Sequence, residues 1–67
     1  MIDIYLNGEI QKFEAPITLS EILERLRIPL SAMAIAVNRE IVPRSEFPLF
    51  KIKEGDRIEV VKAVGGG

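Results

Sequence analysis

The 67-residue chain contains no cysteine, no histidine and no tryptophan. Without cysteine, neither disulfides nor thiolate metal sites can supplement the core. Without histidine, the chain lacks the usual general base and the commonest metal ligand. Charge of one sign is missing as well: Lys and Arg number 9 against 10 Asp and Glu, interspersed, for a net charge of −1. That pattern supplies neither the basic stripe of a nucleic-acid binder nor a polybasic membrane patch. No apolar run approaches transmembrane length, and the N-terminus shows no signal-peptide pattern. These absences lead us to expect a cytoplasmic domain that binds no metal, nucleic acid or membrane and does no catalysis with its own side chains.

What is present is apolar, at 48% hydrophobic residues, enough to build one packed interior in a chain that buries only about 60% of its surface. Met1 to Leu6 alternates, with Ile2, Ile4 and Leu6 on one face. Asn7-Gly8 follows, and both residue types tolerate the positive φ of a type I′ hairpin turn. Glu9 to Glu14 is the expected return strand, with Leu6 opposite Glu9, Tyr5 opposite Ile10, Asp3 opposite Lys12 and Ile2 opposite Phe13. Asp3 and Lys12 then form a charge pair on the outward face.

A helix start follows. Thr18 is the expected N-cap, Glu21 completes a capping box, and Ile17 and Ile22 are spaced for a hydrophobic staple. Leu19, Ile22, Leu23 and Leu26 make one apolar stripe. Pro29 disfavours helical geometry at Ile28, which places the helix end near Arg27. Ala34 to Asn38 alternates with Ile35 and Val37 inward. Arg39-Glu40 is expected to turn into a short strand, Ile41-Val42, ended by Pro43. Between Arg44 and Lys53 the pattern is irregular, with one helical turn starting at Ser45-Glu46 and with Phe47, Leu49 and Ile52 closing the underside of the core. Glu54-Gly55-Asp56 is a turn. The last strand, Arg57 to Val64, has Ile58 and Val60 inward.

A single helix of about ten residues covers one sheet face only, so the fold class is α+β, a mixed sheet of four to five strands around one helix. In the β-grasp arrangement the last strand runs parallel to the first in the middle of the sheet. Residues 1–64 form the expected domain and residues 65–67 a flexible tail. Gly65, Gly66 and Gly67 contribute nothing to a core, because glycine costs the most entropy to order. Extended, they reach roughly 10 Å, a thin arm suited to carrying a carboxylate into another protein's active site. A frayed terminus is the plainer explanation. The outward residues Tyr5, Ile10, Ala36, Val61 and Ala63 form either a docking surface beside the tail or an ordinary open sheet face.

These residues resemble a known family. The tail Ala63-Val64-Gly65-Gly66-Gly67, the run Ala36-Val37-Asn38-Arg39-Glu40-Ile41-Val42-Pro43-Arg44, the turn Glu54-Gly55-Asp56-Arg57-Ile58-Glu59 and the opening strand into Asn7-Gly8 are similar to those of the sulfur carriers of thiamin biosynthesis (ThiS), a ubiquitin-like β-grasp family. The resemblance covers essentially the whole chain. It implies that the Gly67 carboxylate is adenylated by an adenylyltransferase related to ubiquitin-activating enzymes, with ATP and Mg²⁺ held by that partner and no cofactor bound by this chain. It further implies that a persulfide from a cysteine-desulfurase-type donor converts Gly67 to a thiocarboxylate, whose sulfur goes to thiazole synthase. Gly65 and Gly66 would thread the partner's channel. Two alternatives stand beside this: a related carrier or modifier, such as the small subunit of molybdopterin synthase, and a small β-grasp RNA-binding module. The latter calls for a basic face with exposed aromatics, and the only tyrosine sits beside the Asp3–Lys12 pair.

Overall fold

The computed structural model describes residues 1–28 and 33–62, with Met33 and Lys62 described by their backbone alone. Two sheets and one helix enclose the core. Strands β1 (Ile2–Leu6), β2 (Glu9–Phe13), β4 (Met33–Val37), β5 (Glu40–Val42) and β7 (Arg57–Lys62) form a five-stranded sheet in the order β2-β1-β7-β4-β5. Two short strands, β3 (Ile17–Thr18) and β6 (Lys51–Ile52), pair separately. The last strand is central: it lies parallel to β1 and antiparallel to β4. The mixed sheet around one helix agrees with the expected α+β architecture.

The first hairpin has the register set by its Asn-Gly turn, from Ile2↔Phe13 to Leu6↔Glu9. Asn7 and Gly8 both have positive φ, 48° and 87°, as a type I′ turn requires. Asp3 and Lys12 meet at 3.0 Å on the outer side. The second hairpin corrects the expected turn. Its corner is Asn38-Arg39, with φ of 51° and 69°, and Glu40 already belongs to β5, paired with Val37.

Helix α1 (Leu19–Arg25) starts as the sequence predicts. The Thr18 hydroxyl accepts from the Glu21 N–H at 3.2 Å, and the Glu21 carboxylate accepts from the Thr18 N–H at 3.0 Å. The helix ends two residues earlier than expected, closed by bonds of its own backbone, while Pro29 lies outside the described residues. The Arg27 N–H donates to Glu24 O at 3.0 Å and the Ile28 N–H donates to Leu23 O at 2.9 Å, the paired bonds of a Schellman cap. Arg27 holds the left-handed position at φ 56° without the freedom a glycine has there.

Ile4, Leu19, Ile22, Leu23 and Ile58 have no exposed surface, and Phe13, Ile17, Ile35, Val37, Val42, Phe47 and Ile52 join them in one cluster. Burying each of the larger side chains is worth roughly 1.5–3 kcal/mol. No described residue of the core is polar or charged. The underside departs from expectation at one position: Leu49 is 76% exposed, and Phe50 packs against the core instead. The cause is the single 3-10 turn at Arg44–Glu46. The Phe50 N–H then bonds back to Glu46 O at 2.8 Å, and that compact corner sends neighbouring side chains to different sides.

Candidate functional site

The chemistry expected of this chain sits at the end of β7, so the site is built from what holds that strand. Its start is fixed on both sides. The Tyr5 N–H donates to Asp56 O at 2.9 Å, and the Asn7 N–H donates to Ile58 O at 2.9 Å, as successive bonds of a parallel ladder do. The next bond of such a ladder would run from the Val60 N–H to the main-chain carbonyl of residue 7. The chain has turned away there, and the Asn7 side-chain Oδ1 accepts that proton instead, at 2.9 Å.

The opposite side of β7 shows the same substitution. The Asn38 N–H donates to Arg57 O at 2.8 Å, and the Arg57 N–H returns the bond to the Asn38 side-chain Oδ1 at 3.0 Å. The other end of that amide, Nδ2, donates to the Asp56 carboxylate at 3.0 Å, and the second Asp56 oxygen accepts the Lys53 N–H at 2.8 Å. Neither asparagine was assigned a role from the sequence beyond its place in a turn or strand. The signal was their position: each ends a strand that flanks β7.

On the outer face, Tyr5 lies opposite Ile10, and the Arg57 guanidinium stands 5.1 Å from the centre of its ring. Ile10 is 57% and Val61 50% exposed. Ala36 corrects the expected docking set: it faces outward but is only 7% exposed. Its pairs are Ile41 on one side and Glu59 on the other, and these longer side chains shade a small one in an inner strand. Ile41 was missed from the sequence and is 64% exposed. Its place on this face follows once the turn is set at Asn38-Arg39. The apolar surface is therefore divided. Tyr5 and Ile10 lie on β1 and β2, Ile41 and Val61 lie on β5 and β7, and Arg57 and Glu59 stand between them along the outer side of β7. Ala63, Gly65, Gly66 and Gly67 lie outside the described residues.

A mixed sheet curled on one helix, with its first and last strands parallel at the centre, defines the ubiquitin-like β-grasp class. The crystal structure of a thiamine biosynthesis protein (ThiS) from Geobacter metallireducens superposes with a TM-score of 0.84 at 23% identity, covering 98% of this chain and 100% of that one. The chain belongs to the ThiS family, whose model matches residues 4–67. It is 36% identical over 64 residues to the sulfur carrier protein ThiS of Thermus thermophilus, covering 96% of this chain and 98% of that protein. It is 30% identical to the Escherichia coli sulfur carrier protein ThiS, covering 98% of this chain and all of that one. A thiazole synthase of Paramagnetospirillum magneticum is 34% identical over 64 residues. Of that longer protein the chain spans 20%, against 96% of its own length.

Proposed function

We propose that this chain is the sulfur carrier for the thiazole moiety of thiamin, with the Gly67 carboxylate as the group that is loaded. The observation that carries this is the extent of the family match, which runs through the three glycines to residue 67. Relatives named sulfur carrier protein match it over nearly their whole length. The similarity to one fifth of a thiazole synthase supports that enzyme as the acceptor, since carrier-like and synthase sequences occur there in one polypeptide.

The chemistry follows from a weak electrophile. A carboxylate resists substitution because it would have to expel oxide, and a partner adenylyltransferase using ATP and Mg²⁺ converts it to an acyl adenylate with loss of pyrophosphate. The terminal sulfur of a donor persulfide attacks the carbonyl and AMP leaves, forming an acyl disulfide. A second thiol then cleaves the S–S bond, becoming oxidised to a disulfide and releasing the thiocarboxylate. That anion is the nucleophile delivered to thiazole synthase. The carrier supplies no catalytic group. It supplies a terminal carbonyl unhindered by a Cβ, on a backbone that a narrow channel can contact directly.

Incubation with ATP, Mg²⁺, the adenylyltransferase and a persulfide donor is expected to add the mass of one oxygen-to-sulfur exchange, located on Gly67 by fragmentation. Deleting Gly67 is expected to abolish loading at unchanged melting temperature. Gly66→Val is expected to hinder loading without unfolding. Normal sulfur loading by the Gly67 deletion would overturn the proposal.

A further inference from the structure

We infer that Asn7 is a positioning residue for the loading reaction, acting through the backbone of β7 on the place from which the glycine tail departs. The inference rests on the sulfur-carrier function proposed above. An Asn-Gly hairpin is ordinarily explained by its dihedral angles alone, and a Gly-Gly turn satisfies those equally. Here the side chain does a second task. The Asn7 main chain donates to Ile58 O, and its Oδ1 receives the Val60 N–H at 2.9 Å, a contact 53 residues distant in sequence. One residue thus holds two successive alternate positions of the last strand.

The location gives that contact its meaning. Strand pairing between β1 and β7 covers only Tyr5↔Arg57 and Leu6↔Ile58, whereas β4 pairs with β7 as far as Lys62. Past Ile58, β7 is held by a strand on the β4 side, and among the described residues the bond at Val60 is its remaining hydrogen bond on the β1 side. A strand held along one edge pivots about that edge. The Asn7 bond resists the pivot two residues before the described end of the strand, and a change of direction there is carried outward along the arm. Binding of the carboxyl end in a narrow channel depends on the spread of positions from which it starts, as with any tethered reactant.

Two variants separate this role from turn formation. Asn7→Gly keeps the positive φ and removes the acceptor, while Asn7→Asp keeps both. In Asn7→Gly the Val60 amide is expected to lose its hydrogen-exchange protection, while the Arg57 amide keeps it. The kcat/KM for thiocarboxylate formation by the adenylyltransferase and persulfide donor is expected to fall about twofold, the low end of the range set by one hydrogen bond. The fall should appear in KM, with kcat retained, at a temperature where both proteins are fully folded. Asn7→Asp is expected to restore both the protection and KM. Unchanged KM in Asn7→Gly despite an exposed Val60 amide would overturn the inference, as would retained Val60 protection or failure of Asp to restore KM. If the wild-type chain itself acquires no sulfur at Gly67, the carrier function fails, and that result is read before any variant is compared.

Discussion

The two hairpins that flank β7 solve one geometrical problem with different resources. In each, an asparagine enters the left-handed region as the strand turns away, and its side-chain carbonyl takes over the hydrogen bond that its main-chain carbonyl can no longer accept. In the second hairpin the asparagine is locked: its Nδ2 engages Asp56, and Asp56 engages Lys53. In the first, the one hydrogen bond that the side chain makes among the described residues is to the Val60 N–H. The turns differ in their second residue too. Gly8 takes φ 87° freely, whereas Arg39 takes 69° with a Cβ and therefore at a cost. The start of the central strand is thus fixed by a side-chain network around Asn38, next to an arginine in the left-handed region. Toward the tail, the β1 side of that strand is fixed by one bond from an unstrained turn.

Removing each side chain while keeping its dihedral angle tests this contrast most directly. Asn38→Gly loses two hydrogen bonds, and we expect about 1.5 kcal/mol of stability to go with them, read from urea denaturation. The same substitution at Asn7 is expected to cost about 0.5 kcal/mol, because its single bond lies near solvent. Equal losses would break the comparison.

Exchanging the second turn residues should change the sign of the effect. Gly8→Ala is expected to destabilise by about 1 kcal/mol. Nothing lies within 4 Å of a Cβ built at Gly8, so that cost is purely one of backbone conformation. Arg39→Gly is expected to stabilise by about 0.5 kcal/mol, the relief of strain being partly offset by the greater freedom of the unfolded chain. Calorimetric melting of the pair would show whether the two turns carry opposite strain.

The smallest effect concerns the Asp3–Lys12 pair beside the first hairpin. Its side chains are 44% and 65% exposed, and screening leaves such a pair worth a few tenths of a kcal/mol at most. Lys12→Gln should therefore scarcely move the urea midpoint at physiological salt. A large shift would show that the first hairpin depends on charge as well as on its turn.

These comparisons also show where the sequence was legible. The first hairpin could be read residue by residue, because Asn-Gly has one low-energy use and fixes the register of all that precedes and follows it. The capping box was equally plain, since Thr18 and Glu21 satisfy each other's backbone within four residues. The second turn was misplaced by one position because Arg39 sits where local rules disfavour it, beside Asn38, whose side chain is held by Asp56 and Arg57 far along the chain. Strands β3 and β6, two residues each, are too short to show any period. Leu49 and Phe50 exchanged places because a 3-10 turn has neither the alternation of a strand nor the stripe of a helix. At the candidate site the glycines advertised themselves by composition. Ala36 did not, because its shading depends on which side chains stand in the two neighbouring strands.

Placing the last strand in the middle of the sheet governs when this domain can form at all. During synthesis, β1, β2, α1, β4 and β5 all emerge before β7, yet β1 and β4 touch β7 rather than each other. The nascent chain therefore holds two hairpins that cannot close on one another, and contacts of such long sequence separation make folding slow to begin. Isolated two-stranded hairpins are marginal in water. Folding is expected to wait until residue 62 has left the ribosome, so that β7, made after both strands it joins, is the part that completes the domain. A carrier assembled in that order becomes compact only when the strand bearing its tail is in place, and a partner that recognises the folded sheet would pass over prematurely truncated chains.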